Sequence, residues 1–279
     1  MLKDALIGTL TQGVVFCCAQ ADRYAERPVH GVIITARCDL KNDKVPLVNY
    51  LPVVRLEDWV WVDGCDILED RLTRQIDAQK KETLANLNVP DDLLRIHTIT
   101  ELAYLFFPTD EKKDRLSRER LGKISKREGE LSDLALRNLN EVSLLSPFRK
   151  EKERLLKELF SHKLSGYYFL PRIYTDEIES GYVVLLREVK NISSSVATCV
   201  AGGMSRPTNT LVSGLAFDAD EFAMPISELQ PPFVEHLLQS FSMLYGRIGV
   251  PDFAESQIET LTRSLLGSNE VKINEDVNS

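Results

Sequence analysis

The sequence predicts an α+β protein composed of a small β-barrel, a helical insertion, additional strands and C-terminal helices. Residues 6–63 contain short apolar runs rich in β-branched residues, with turn residues between them, which is typical of a compact barrel. Residues 66–164 change to the spacing of amphipathic helices. Residues 167–217 return to strand-like runs, so that two β regions flank one helical block.

These changes of pattern divide the chain into three segments. We expect a β-barrel-like segment over residues 1–65 and a helical segment over residues 66–165. Strands and C-terminal helices follow over residues 166–279. The third segment either completes the barrel of the first, so that both form one domain, or it forms a separate domain.

The first segment contains four predicted strands. The runs that predict them are Val14–Cys18, Val29–Thr35, Val45–Val54 and the alternating Trp59–Val62. A turn is expected at Asp39–Lys44. We expect a curled antiparallel sheet whose interior contains Val15, Val32, Ile34 and Val53.

Helical signals dominate the second segment. Residues Asp66–Asn88 carry apolar residues on one stripe, and Thr98 and Glu101 form a capping-box pattern. Residues 109–145 are charged and helical in pattern, and Ser146-Pro147 is a typical helix start. We expect the helices to pack on the β layer through Leu72, Ile76, Leu156 and Phe160.

The third segment again combines strands and helices. The predicted strands are Tyr167–Leu170, Gly181–Leu186, Val196–Val200 and Thr210–Phe217. Pro231-Pro232 is expected to open one helix, and Asp252 to begin a second one that continues to Gly267.

Composition limits the classes of function. The chain has 279 residues and a net charge of −8, so its surface as a whole does not attract nucleic acid. Its four histidines and five cysteines lack metal-ligand spacing, and we expect neither a metal nor another cofactor. No apolar run approaches the roughly 20 residues that span a bilayer, so we expect a cytoplasmic protein without a membrane partner.

Three runs within residues 8–56 resemble the MazF/PemK toxin family. They are Gln12–Phe16, Arg27–Thr35 with its Arg-Pro start, and Leu51–Val54. The resemblance implies an SH3-like barrel that cleaves single-stranded RNA, with the family's catalytic arginine at Arg27. The chain departs from the family at Val14, where Asp is usual, and at Val53 or Val54, where a hydroxyl residue is usual.

A second resemblance extends over most of the chain. The run Ile34–Leu40, with Cys38-Asp39 at its centre, is similar to a motif of uncharacterised prokaryotic proteins often encoded in phage-defence islands or mobile elements. Similar stretches recur at Gly166–Pro171, Pro232–His236 and Tyr245–Pro251. The resemblance implies a protein partner encoded in the same operon, but it carries no established chemistry. Ala36 stands where the group usually has Gln.

Two sets of residues are candidates for function. Arg27 and Asp39 bracket one predicted strand and would form a polar site at the rim of the barrel, unless Asp39 only accepts hydrogen bonds from turn amides. A charged helix would contact phosphate, unless it is simply solvated. Its basic residues are Lys112, Lys113, Arg115, Arg118, Arg120, Lys123, Lys126 and Arg127.

These patterns favour a non-enzymatic interaction or accessory component of a prokaryotic phage-defence or mobile-element system. One alternative is a MazF-like RNA-cleaving toxin, which the missing hydroxyl at Val53 and Val54 disfavours. A second alternative is a nucleic-acid-binding adaptor that uses the basic helix.

Overall fold

The computed structural model describes residues 1–41, 45–136, 148–176, 180–207, 212–217, 222–246 and 256. The chain separates into a large unit, Met1–Leu244, and a C-terminal unit, Tyr245–Ser279. Within the second unit, the described residues are Tyr245, Gly246 and Ser256. The fold described below is therefore that of the large unit.

The large unit is a mixed α+β fold around a curled antiparallel half-barrel sheet. Its strands are β1 (Leu2–Asp4), β2 (Val14–Phe16), β3 (Val29–Ile33), β4 (Leu47–Arg55), β5 (Tyr167–Leu170), β6 (Tyr182–Leu185), β7 (Lys190–Ser193) and β10 (Pro225–Leu229), with the pair β8 (Met204–Ser205) and β9 (Phe222–Ala223) apart from them. The sheet order is β1-β10-β2-β3-β4-β6-β5, and β7 pairs with β4 beside β6. Strands from both β regions of the chain therefore share one sheet.

Helices pack on the sheet, and some of them also form a separate core with one another. They are α1 (Arg37–Lys41), α2 (Leu56–Trp59), α3 (Cys65–Asn86), α4 (Ile99–Phe106), α5 (Lys112–Leu136), α6 (Arg149–Phe160), α7 (Ser194–Gly202) and α8 (Phe233–Tyr245). A π-helical turn, Val60–Gly64, joins α2 to α3, and a 3-10 turn, Asp91–Arg95, precedes α4.

The central strands are buried on both faces, which explains their nearly continuous apolar sequence. One face meets α3, α6 and α7 through residues such as Phe16, Ile33 and Tyr50. The other face meets α8 through residues such as Val32 and Leu51. Alternate residues of each strand thus enter different cores.

Several elements predicted from sequence are confirmed. The strands around Val15, Val32 and Val53 are present, and these three side chains are fully buried. Thr98 accepts a hydrogen bond from Glu101 N at 3.2 Å, and Thr98 N donates to Glu101 Oε2 at 2.7 Å, which completes the predicted capping box. The predicted helix starts at Ser146-Pro147 and Asp252 lie outside the described residues. The predicted strand Thr210–Phe217 is wrong over its described part, residues 212–217, because Gly214 at a φ of 83° turns the chain and Leu215 N donates to Val212 O at 3.1 Å. Leu215 makes one isolated bridge, to Ala19.

Three further predictions of local structure are wrong. Trp59–Val62 is helical because Trp59 and Val62 are buried on one face, and four residues are too few to separate a period of 2 from 3.6. Residues 37–41 form the short helix α1 rather than a turn. The run Val196–Val200 belongs to α7, which Ser193 caps by accepting a hydrogen bond from Val196 N at 3.3 Å.

The predicted packing of helices on the β layer holds for part of the set. Leu72 belongs to the core that the helices share with the sheet, and Leu156 is partly buried against the same core. Ile76 is buried instead in a separate helical core with Leu84, Ile99, Leu102, Leu121 and Ile124. Phe160 is 44% exposed, although its ring lies 4.5 Å from that of Phe169.

Gly31 allows the closest ring packing in the sheet. A Cβ atom at this position would lie 2.5 Å from the ring of Phe16 and 2.8 Å from the ring of Tyr50. These two rings meet edge to face at 5.2 Å on the strands that flank β3. A side chain on Gly31 would separate them.

We expect Gly31→Ala to destabilise the protein by about 1–3 kcal/mol, because overpacking forces the two rings apart. Gly122→Ala is the matched control, since no atom lies within 4 Å of the added Cβ in α5. It should stabilise the protein by about 0.5–1 kcal/mol through helix propensity. Urea denaturation of both variants tests the pair, and equal stabilities would contradict the packing argument.

Candidate functional site

A cleft of about 490 Å³ lies between α1 and α7. This volume is in the range of sites that bind small molecules or short peptide segments. Its walls come from the loop before β2, from α1, from the start of β4 and from α7. The lining residues are Gly8, Thr9, Leu10, Thr11, Arg37, Asp39, Leu40, Lys41, Val45, Val48, Ser194, Ala197, Thr198 and Ala201.

The sheet places both helices at one end of β4. Helix α1 connects the end of β3 to the start of β4, and α7 begins directly after Ser193, which pairs with Leu47. Ser194 N donates to Pro46 O at 3.0 Å, and Gly8 N donates to Ala201 O at 2.7 Å. These backbone bonds fix α7 against two other walls of the cleft.

The cleft combines an apolar floor with a polar rim. Leu40, Val48 and Ala197 contribute apolar surface, while Thr9, Thr11 and Thr198 contribute hydroxyl groups. Arg37 and Lys41 provide two cations, and Asp39 provides one carboxylate. The Arg37 guanidinium also lies 3.8 Å from Glu228. Such a lining suits a ligand with an apolar body and a polar or anionic end.

Exposed apolar side chains continue from the cleft onto the surrounding surface. Leu6 and Ile7, which immediately precede the lining residues Gly8 and Thr9, are 66% and 77% exposed. Leu47, between the lining residues Val45 and Val48, is 46% exposed. An extended apolar margin of this kind marks contact surfaces more often than single exposed side chains do.

The two residues proposed as one polar site occupy different places. Asp39 is half-buried in the cleft, where its Oδ1 lies 3.5 Å from Cys38 Sγ. Arg27 forms an ion pair with Asp58 of α2. Arg27 precedes β3 at its Val29 end, whereas Asp39 follows the Ile33 end. The structure therefore places these residues beyond opposite ends of one strand.

A partly buried polar network, whose Arg23 and Tyr24 precede Arg27 in the chain, was not predicted from sequence. Asp63, in the π-helical turn, accepts hydrogen bonds from Arg23 at 2.6 Å and from Tyr24 Oη at 2.8 Å. Asp66 accepts a second bond from the Arg23 guanidinium at 2.5 Å. The network ties the loop before β3 to the start of α3. Spacing alone could not indicate it, because about 40 residues separate the partners.

Burial changes the titration of this network. Desolvation raises the pKa of Asp63, and the bonds from Tyr24 and Arg23 oppose that increase. Desolvation also raises the pKa of Tyr24, reinforced by the neighbouring carboxylate, and it raises the pKa of Tyr167 to about 12. Perturbed groups often indicate functional sites, but here both carboxylate oxygens of Asp63 accept hydrogen bonds from within the network. The network of Arg23, Tyr24, Asp63 and Asp66 is therefore best explained as a structural contact, which we call the latch.

A histidine and tyrosine cluster joins α8 to the sheet. Tyr168 Oη and His236 Nδ1 are 3.0 Å apart, and the His162 ring stacks on Tyr168 at a centroid distance of 4.3 Å. Desolvation and the nearby His236 lower the pKa of His162. No local pattern indicates this cluster, because its three residues lie far apart along the chain.

The basic residues of α5 fall into two groups. Arg118, Lys123, Lys126 and Arg127 form ion pairs with Asp110, Glu119, Glu130 and Glu151, respectively. The remaining four, Lys112, Lys113, Arg115 and Arg120, are exposed at the first half of the helix. Half of the predicted phosphate-binding set is thus engaged with carboxylates of the protein itself.

The chain matches no known protein family, no curated protein and no solved structure. Within the described part of the chain, no three His, Cys, Asp or Glu side chains are grouped to hold a metal ion. No helix among the described residues is long and apolar enough to cross a membrane. The cleft is therefore interpreted from its own geometry.

We expect Tyr24→Phe to destabilise the protein by about 1–3 kcal/mol at neutral pH, because Asp63 loses a buried donor. The loss raises the folded-state pKa of Asp63 further. Because the unfolded-state pKa of Asp63 is the same in both proteins, the penalty should be small below the folded-state pKa of the wild type and grow as the pH rises through it. It should level off above the still higher folded-state pKa of the variant. Denaturation over a pH series measures this dependence.

Tyr104→Phe is the matched control for that series. The same hydroxyl is removed there from a side chain that is 66% exposed. Its stability should follow the wild-type pH dependence. A Tyr24→Phe penalty that stays constant with pH would contradict the role assigned to Asp63.

Proposed function

We propose that the protein is a non-enzymatic interaction component, cytoplasmic and belonging to a prokaryotic phage-defence or mobile-element system. The observation that carries the binding function is the cleft between α1 and α7, with its apolar floor and charged rim. The likeness of the Cys38-Asp39 run to the motif of defence-island proteins supports the cellular setting, and Asp39 lines the cleft. The partner is proposed to be a protein of the same operon.

The cleft suits a segment of a protein more than an isolated small molecule. Its apolar margin at Leu6, Ile7 and Leu47 extends beyond the cavity, so a chain seated in the cleft would cover those side chains too. Arg37, Asp39 and Lys41 would orient the bound segment through its polar groups. Burial of the apolar margin would supply much of the affinity.

A substitution that fills the cleft should separate binding from stability. Thr198 lines the cleft but is exposed, so we expect Thr198→Trp to weaken partner binding by about tenfold or more, as loss of a central contact does. The measurement is calorimetric titration with proteins encoded beside the gene, and thermal melting verifies the fold.

Cys199→Trp is the control for the filled cleft. Cys199 is the next residue of α7, and it is exposed but absent from the cleft lining. Its affinity for the partner should remain unchanged. Equal binding by both variants would show that the partner docks elsewhere, and equal loss by both would indicate a general defect of α7.

The MazF-like alternative, which includes an SH3-like description of the sheet, depends on Arg27. This side chain is paired with Asp58, whose side chain is only 16% exposed, and Val53 and Val54 are fully buried. These contacts favour a structural role for Arg27. A nucleic-acid adaptor would depend on the exposed cations of α5.

We expect the purified protein not to cleave mixed RNA when metal is chelated. Arg27→Ala should instead lower the free energy of unfolding by about 1–2 kcal/mol, because Asp58 loses its charged partner. Gel assays and denaturation measure the two effects. Wild-type cleavage that Arg27→Ala abolishes without loss of stability would favour the toxin instead.

A further inference from the structure

The end of the α4–α5 hairpin exposes three consecutive apolar residues. Tyr104, Leu105 and Phe106 are 66%, 60% and 41% exposed, although they end a helix whose other face is buried. Leu116, in the second turn of α5, is 44% exposed. We call Tyr104, Leu105, Phe106 and Leu116 the apolar tip.

Five hydrogen bonds hold the connection between the two helices. Arg118 donates to the backbone carbonyls of Phe107 and Thr109, each at 2.7 Å, and to Asp110 Oδ1 at 3.0 Å. Thr109 donates to Asp114 Oδ2 from its backbone N at 3.1 Å and from its hydroxyl at 2.7 Å. Phe107 is buried in the helical core. The apolar tip is therefore held in place before any partner binds, which reduces the entropy cost of association.

Exposed cations follow the apolar tip at the start of α5. The exposed residues Lys112, Lys113, Arg115 and Arg120 belong to the first three turns of α5, which begin six residues after Phe106. Residues 112–127 contain eight basic and two acidic residues, in a chain whose net charge is −8. The first part of α5 thus carries a net positive charge, opposite in sign to the net charge of the whole protein.

We propose that the apolar tip and these four cations form a docking surface for an acidic, amphipathic segment of a partner protein. Apolar side chains of the segment pack on Tyr104, Leu105 and Phe106, and its carboxylates pair with the α5 cations. Complementary charge gives register and a faster encounter, while the apolar contact supplies affinity.

The acidic residues of the connection favour a protein over a lipid surface or a nucleic acid. Asp110 and Glu111 are exposed beside the tip, and the Asp110 side chain is fully accessible. A broad anionic surface would approach these carboxylates as closely as the cations. A peptide segment can place its own carboxylates beside α5 and leave Asp110 and Glu111 in solvent.

This surface is independent of the cleft, because none of its residues lines the cleft. A protein with both surfaces can hold two partner segments at once. The surface therefore adds a second interaction to the proposed function, and the two can fail separately.

The test is selection of peptides from a random displayed library on the full-length protein, with counter-selection on Leu105→Ser. We expect the selected peptides to combine Asp or Glu with Leu, Phe or Trp. Fluorescence anisotropy should then show a loss of about tenfold or more for Leu105→Ser and for Arg115→Glu. Raising the salt concentration should weaken the wild-type complex.

Matched controls keep the result specific. Ile7→Ser removes an apolar side chain at the cleft margin that is even more exposed than Leu105, and Lys163→Glu reverses an exposed charge after α6. Both should bind the selected peptides as the wild type does. Arg118→Ala keeps the surface side chains but removes the hydrogen bonds that hold the α4–α5 connection, so it should also weaken peptide binding. Thermal melting verifies that each variant is folded.

Three outcomes would overturn the proposal. If the selected peptides lack acidic residues, the proposed pairing of carboxylates with the α5 cations is wrong. If Leu105→Ser binds the selected peptides as tightly as the wild type does, the apolar tip is not part of the docking surface. Tighter binding of single-stranded RNA or of phosphatidylserine vesicles, lost in Arg115→Glu, would assign the surface to a different class of partner.

Discussion

The fold depends on the pairing of β4 with strands from both β regions of the chain. Residues Val29–Ile33 of β3 pair along one edge of β4, and β6 and β7 pair along the other. Tyr50, at the centre, donates its hydroxyl to Gly214 O at 2.6 Å and accepts from Gln20 N at 3.1 Å. One buried side chain thus joins a loop near the start of the chain to a loop nearly 200 residues further along it. Without β4, neither half of the sheet would have a complete core.

The two ends of β4 support different features of the protein: the cleft lies at one end and a set of structural ion pairs at the other. At about 3.3 Å per residue, its nine residues separate those ends by about 26 Å. The Leu47 end carries α1 and α7 and therefore the cleft. The Arg55 end continues into α2 and the π-helical turn, where Arg27 and Arg23 pair with Asp58 and Asp63. Arg27 pairs with Asp58 at the Arg55 end for this reason, whereas Asp39 lines the cleft at the Leu47 end.

Sequence patterns predicted the elements with long or well-bounded signals. The stripe of α3 extends over enough residues to define a helical period, the capping box marks the start of α4, and the buried strands are bounded by turn residues. Short runs failed, because the alternation at Trp59–Val62 and the apolar run of Val196–Val200 fit a strand and a helix equally. Asp39 was identified as a candidate residue, but the cleft around it is formed by α7, more than 150 residues further along the chain. Tertiary packing, which no local pattern encodes, also created the latch and the histidine and tyrosine cluster.

Charge pairing within the protein determines which cations remain available for partners. A basic run read from sequence suggests one continuous positive surface, yet the second half of α5 directs Lys123, Lys126 and Arg127 to nearby carboxylates. Arg118 is used to fix the connection before α5. The available charge is therefore concentrated at the beginning of the helix, beside the apolar tip. A phosphate backbone would gain most from a long basic face, whereas a short acidic segment needs only this local combination of charge and apolar surface.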